Sequence, residues 1–205
     1  YLRIGEIRRL FPRVPVLALT ATATPPVVSD IQQRLGFKTE NVFRMSFERK
    51  NLAYVVRNTD DKYHELLHIL SSVDGSAIVY ARSRKRTKEM AQQLAADGVS
   101  ATFYHAGLEL GEKDKRQKSW IADETRVIVA TNAFGMGIDK PDVRVVIHID
   151  CPDSIEAYFQ EAGRAGRDGK KAYAILLYNN IDRAKLTRRI ADTFPEKDYI
   201  RKVYE

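Results

Sequence analysis

Between Leu52 and Leu177, short runs of consecutive apolar residues alternate with longer amphipathic stretches, and this alternation leaves few folds open. The runs are Leu52 to Val56, Ala77 to Tyr80, Ala101 to Tyr104, Val127 to Ala130, Val143 to Ile149 and Ala172 to Leu177. An apolar run with no polar alternate position suits a strand covered on both faces, as in a parallel sheet between helical layers. Between several of the runs lie Lys62 to Ser71, Ser83 to Ala96, Lys113 to Ile121 and Ser154 to Ala162, where apolar residues recur at helical spacing. Together they specify an α/β fold with a mainly parallel sheet flanked by helices. Asp153 and Glu156 fit the outline of a capping box before the last helix.

Ahead of this region, Leu2, Ile7 and Leu10 have helical spacing, and Val14 to Thr20 reads as one more buried strand. Thr24-Pro25-Pro26 then opens a helix that Gly36 closes. The polar, irregular segment from Glu40 to Asn51 reads as an interdomain link, and beyond Tyr178 the chain turns helical and highly charged. Of 205 residues, 44% are hydrophobic and 30% charged, enough to close a core. The net charge of +7 leans toward a polyanionic partner without requiring one. The single cysteine, Cys151, can form neither an internal disulfide nor a zinc site, which fits a reducing cytosol without demanding it. No apolar run reaches the ~18–20 residues of a bilayer span, so no membrane partner is expected. Because the first residue is Tyr1, the expectation is a sequence that starts inside a larger protein or after a cleavage.

The most specific string is Tyr158-Phe159-Gln160-Glu161-Ala162-Gly163-Arg164-Ala165-Gly166-Arg167-Asp168-Gly169. Arg164 and Arg167 stand at i and i+3, so a continuing helix projects both from one face. The small residues between them let a ligand or another surface come close, and Asp168-Gly169 supplies a turn. This is either a clamp for phosphate oxygens or a solvated basic helix end. A second string, Val129 to Pro141, ends a strand at Ala130 and continues through Thr131, Asn132, Gly135, Gly137 and Asp139. Freed glycine amides and the Thr131 hydroxyl suit a phosphate at a strand's carboxyl end, and an ordinary strand–loop turn is the alternative. Three more strings lie at strand ends: Leu17 to Thr24 with Thr20 and Thr22, Ile78 to Arg84 with Arg82 and Ser83, and Tyr104 to Leu108 with His105. Ser83 suits a phosphate contact or a helix cap equally, and a lone histidine is commonly a local hydrogen-bond partner.

In this order, these strings resemble motifs III to VI of superfamily 2 helicases, and the run from Gln160 to Gly169 resembles the RecQ family in particular. DEAD-box RNA helicases usually open this motif on His-Arg and carry a Thr before the last Gly-Arg, where this chain has Gln160 and Ala165. The resemblance implies a RecA-like fold of the P-loop NTPase type, the second motor domain of an ATP-dependent DNA helicase. It divides the chain into a remnant of the first motor domain with its linker (1–47), a whole second RecA-like domain (48–182) and the start of a helical extension (183–205). It implies Arg167 as arginine finger on the γ-phosphate of ATP, with Arg164 as a second phosphate or coupling contact. Gln160, Gly137 and Asp139 fall on the nucleotide side, Thr131, Asn132, Arg82, Ser83 and His105 on the nucleic-acid side, and Thr20 and Thr22 in coupling. The partners implied are single-stranded and duplex DNA and the first motor domain of the same protein, with translocation 3′ to 5′.

No Gly-x-x-x-x-Gly-Lys-Ser/Thr loop is present, and Asp123-Glu124 precedes its strand where a magnesium-binding carboxylate should end one. ATP and Mg2+ are therefore expected to be held mainly by residues upstream of Tyr1, with no metal ligand in this chain and no ATPase activity from it alone. A non-catalytic nucleic-acid-binding module, an RNA helicase or another superfamily 2 translocase are the competing readings. The location expected is the cytoplasm, at the nucleoid, for a bacterial protein and the nucleus for a eukaryotic one.

Overall fold

The computed structural model describes residues 3–20, 23–39, 41–46, 48–135 and 138–204, without the side chains of residues 200 and 202–204. It divides into two units, Tyr1–Glu48 and Arg49–Glu205. The first unit holds helices α1 (Ile4–Leu10) and α2 (Pro25–Arg34). Two prolines open α2 where their missing N–H groups cost nothing, and Gly36 follows it at φ +59°, the left-handed conformation that ends helices. The strand expected over Val14 to Thr20 does not form, and Leu17 and Leu19 are 79% and 84% exposed. A strand exists through its ladder partner, and among the described residues this unit contains no strand to pair with. Apolarity alone leaves the run without a ladder and uncovered.

The second unit is a six-stranded, wholly parallel sheet in the order β1-β6-β5-β2-β4-β3. Its strands are β1 (Leu52–Asn58), β2 (Ser76–Tyr80), β3 (Ala101–Tyr104), β4 (Val127–Ala130), β5 (Val143–His148) and β6 (Ala172–Tyr178). The helices are α3 (Lys62–Ser72), α4 (Arg84–Ala96), α5 (Leu110–Ile121), α6 (Ile155–Ala162), α7 (Asn180–Thr193) and α8 (Lys197–Tyr204). Alternate residues of the central strands feed two cores. Ala77, Val79 and Ile147 meet Leu66 and Leu70 of α3 and Leu94 of α4 on one face. Ile78, Ile128 and Val146 meet Trp120, Phe134 and Ala162 on the other. Each fully buried Leu or Ile contributes about 1.5–3 kcal/mol, which is why unbroken apolar runs predicted these strands well.

Helix starts follow local chemistry. Asp61 and Ser83 cap α3 and α4 by accepting the N–H groups of His64 and Arg86 at 3.0 Å. The expected Asp153–Glu156 box is replaced by Ser154, whose hydroxyl accepts from Ala157 N at 3.1 Å. Asp153 stands one residue too early, and its carboxylate pairs with Arg82 and Arg189 instead. At α7 a full capping box joins Asn179 and Asp182, and Asp182 also takes the Lys62 ammonium at 2.5 Å. The extension read as beginning at residue 183 therefore starts inside a helix already tied to α3.

Two connections position the site. Between β4 and β5 there is no helix among the described residues: segment 131–142 runs from the carboxyl end of one strand to the amino end of the next. Helix α6 makes the same descent, because Gly166 N donates to Val143 O at 2.8 Å and Asp168 N to Pro141 O at 3.0 Å.

Candidate functional site

The helix that carries the arginine string stops at Ala162, so a helix continuing through Arg164 and Arg167 is not what forms. Gly163 caps it, Arg164 N and Ala165 N make tighter turns onto Glu161 O and Ala162 O, and Gly166 sits at φ +61°. The reason is composition: two glycines in this short run weaken a helix, and only glycine takes the left-handed turn freely. The turn still directs both guanidiniums to one place, the segment after β4. Arg164 Nη1 donates to Gly135 O at 2.6 Å, and Arg167 Nη1 donates to Ile138 O at 3.0 Å. A Cβ at Gly135 would lie 2.0 Å from Arg164 Nη2, so any larger residue there would push this guanidinium aside. Arg167 is also 3.4 Å from Asp139 Oδ1, with 37% of its side chain exposed. An open pair of that kind is weak and can be exchanged for another anion. Gln160 lies exposed in the last turn of α6, and Gly137 lies outside the described residues.

Behind this turn sits a buried polar cluster. Tyr80, at the end of β2, donates its hydroxyl to Phe134 O at 3.0 Å and stacks on His148 with ring centroids 5.2 Å apart. His148 Nε2 is 2.9 Å from Glu161 Oε2. Burial raises the Tyr80 phenol, against the pull of the Arg164 guanidinium and with a further push from Glu161, so Tyr80 stays a proton donor. On the far side, Asp168 holds Arg144 at 2.7 Å, and that bond keeps its carboxyl below the ordinary carboxylate range.

The carboxyl ends of β2, β3 and β4, neighbours in the sheet, bring together the residues assigned to nucleic acid. Asn132 is exposed, whereas Thr131 is only 7% exposed and its hydroxyl accepts Ala133 N at 3.4 Å. Ser83 takes the capping role left open above, retaining its hydroxyl proton for donation. Arg82 pairs with Asp153 and donates its N–H to Asp150 Oδ2 at 3.0 Å. Arg86 and Arg189 join the same carboxylates, at 2.6 Å on Asp150 and 2.8 Å on Asp153. A cavity of about 230 Å³ opens here between Arg82, Cys151 and the α7 residues Lys185 and Arg189. His105 stacks on Phe103 at 5.7 Å, and burial, then Arg84 and Arg116, hold its imidazole below the ordinary value. Thr20 lies exposed in the first unit, and Thr22 is outside the described residues.

Two residues escaped the sequence reading because they stand in the stretch taken as a link. Arg49 donates to the carbonyls of Gly163, Ala165 and Gly166, and Asn51 to those of Gly166 and Lys170. The available signal is position: a residue just ahead of a parallel strand lies at the amino end of the sheet, where the turn after α6 arrives.

The chain matches the helicase conserved C-terminal domain over residues 61–169. It is 43% identical over 199 residues to the RecQ-like DNA helicase blm-1 of Caenorhabditis elegans, covering 94% of this chain and 20% of that protein. With the ATP-dependent DNA helicase RecQ of Pasteurella multocida the identity is 41% over 187 residues, covering 91% and 30%. With the RecQ-like DNA helicase BLM of Xenopus laevis it is 44% over 195 residues, covering 93% and 14%. The chain thus spans between 14% and 30% of the length of these curated relatives. Among solved structures, Saccharomyces cerevisiae Dbp5 bound to RNA and ADP BeF3 superposes with a TM-score of 0.70 at 23% identity, over 94% of this chain and 52% of that one. The Escherichia coli DEAD-box protein SrmB, solved with RraA, gives 0.60 at 29% identity, over 69% and 87%. The sheet and its flanking helices are those of a RecA-like helicase domain.

Proposed function

Because the chain belongs to the helicase conserved C-terminal domain family and is of the RecQ type, we propose that it forms the arginine-bearing half of an ATP-dependent DNA motor. In this reading, residues 1–47 end a first motor domain, 48–182 form the second, and 183–205 begin an extension. The first domain holds most of the ATP, and closure brings Arg167 to the γ-phosphate. The observation that carries the reading is the pair Arg164 and Arg167, drawn onto one loop with Arg167 half open and its carboxylate partner exposed. Phosphoryl transfer is mainly positioning and charge stabilisation, so a guanidinium delivered by closure makes hydrolysis conditional on the closed state. Arg164, which donates to Gly135 O, serves as a second phosphate or coupling contact, with Gln160, Gly137 and Asp139 assigned to the nucleotide side. Among the described residues no group of three or more His, Cys, Asp or Glu can hold a metal ion. In this reading Mg2+ is held mainly by the first motor domain, and no step here runs through it.

Arg82, Ser83, His105, Thr131 and Asn132 grip the phosphate backbone of one DNA strand at the carboxyl ends of the sheet. Alternate closing and release then gives translocation, 3′ to 5′ by resemblance, with Thr20 and Thr22 coupling the two events. The test is ATPase activity of the full-length protein without nucleic acid, with single-stranded DNA and with single-stranded RNA. Strong stimulation by DNA is expected. Stimulation by RNA alone points to an RNA motor, and no activity under any condition points to a binding module.

A further inference from the structure

We propose that Arg49 and Asn51 are positioning residues that shape the turn after α6 and so aim Arg167. The inference deepens the reading of Arg167 as the group that meets the γ-phosphate and rests on it. A helix end exposes carbonyls with no partner inside the helix, and the turn from Gly163 to Lys170 adds more. Arg49 collects them with both arms of its fork, Nη1 to Gly163 O at 3.2 Å and Nη2 to Ala165 O and Gly166 O at 2.9 and 2.5 Å. Asn51 Nδ2 adds Gly166 O at 2.7 Å and Lys170 O at 2.8 Å. Every one of these acceptors is backbone, so the pair reads the path of the chain instead of any side chain.

Gly166 is the pivot. Its N–H is fixed by Val143 O at 2.8 Å, its carbonyl is shared by Arg49 and Asn51, and a Cβ there would lie 2.7 Å from Asn51 Nδ2. Arg167 is the next residue, and the direction in which it leaves the backbone follows from the conformation held at Gly166. Asn51 is itself anchored, since Ala172 N donates to its carbonyl at 2.9 Å and ties it to the start of β6. The turn is thus gripped from β5 through an N–H and from the amino end of β1 through carbonyls. A lysine at position 49 would keep the charge but not the planar fork that spans three carbonyls.

The experiment uses the full-length protein and measures kcat and KM for ATP with a single-stranded DNA oligonucleotide, together with thermal melting. The variants are Arg49→Ala, Arg49→Lys, Asn51→Ala, Arg167→Ala and the double Arg49→Ala/Arg167→Ala. Misplacing a catalytic group by about 1 Å costs on the order of 100-fold, so Arg49→Ala is expected to lower kcat by about that much with KM for ATP little changed. In the Arg167→Ala background the same substitution should cost almost nothing further, because both act through one guanidinium. Should Arg49→Ala fail to fold, Arg49→Lys and Asn51→Ala carry the same comparison. Wild-type kcat in folded position-49 and position-51 variants, beside a crippled Arg167→Ala, overturns this inference alone. Losses that multiply in the double variant also overturn it, since a merely structural role would act independently of Arg167. Wild-type kcat in Arg167→Ala overturns the functional reading and this inference with it.

Discussion

Two sets of arginines in the second unit differ in what mainly holds them. Arg49, Arg164 and Arg167 donate to backbone carbonyls of neighbouring turns, Arg167 with an added 3.4 Å contact to the exposed Asp139. Arg82, Arg86 and Arg189, at the carboxyl ends of the strands, rest on the carboxylates of Asp150 and Asp153. A carbonyl is neutral and fixed in the chain, so it orients a guanidinium and leaves its charge in place. A carboxylate cancels the charge and swings on its own side chain. Arg82 and Asp153 are also open, with 42% and 63% of their side chains exposed, and such pairs contribute little and trade partners readily. In the proposed function the first set serves aim and the second exchange.

That contrast can be broken in order of effect. Arg167→Ala should lower DNA-stimulated ATPase in the full-length protein on the order of 10³-fold, measured as kcat. Gly135→Ala places a methyl on the Arg164 guanidinium, and steady-state kinetics should show a loss of about 100-fold with KM for ATP little changed. Arg82→Ala should leave kcat near wild type and act on the grip. A salt titration of single-strand binding should show a shallower dependence, lower by about one phosphate contact, with affinity weakened alike on all sequences. An unchanged slope would mean that Asp153 keeps Arg82 in the bound state.

The contrast also marks where the sequence was legible. All six strands could be read from their apolar runs, but only the inner strands β2, β4, β5 and β6 are largely covered. The edge strands β1 and β3 are half-buried, and β1 leaves Tyr54 and Val56 exposed. Val14 to Thr20 is a similarly apolar run with no ladder partner among the described residues, and composition does not reveal what does the covering. The string from Tyr158 to Gly169 located the arginine turn, but a continuing helix and a turn share the i, i+3 spacing, and Gly166 decided between them. Ser83 satisfied two readings at once, and the structure uses the cap. Arg49 and Asn51 were invisible because their acceptors are carbonyls more than 100 positions away, and a backbone acceptor leaves no residue type to recognise.

The central claim is that aim and grip are separate devices in one domain. The measurement that tests it most directly is the pair of properties kcat and single-stranded DNA affinity, read side by side in full-length Arg167→Ala and Arg82→Ala. The account predicts a crossed result: Arg167→Ala loses turnover and keeps its DNA affinity, while Arg82→Ala keeps turnover at saturating DNA and binds more weakly. Equal loss of both properties in both variants, or wild-type turnover in Arg167→Ala, would contradict it.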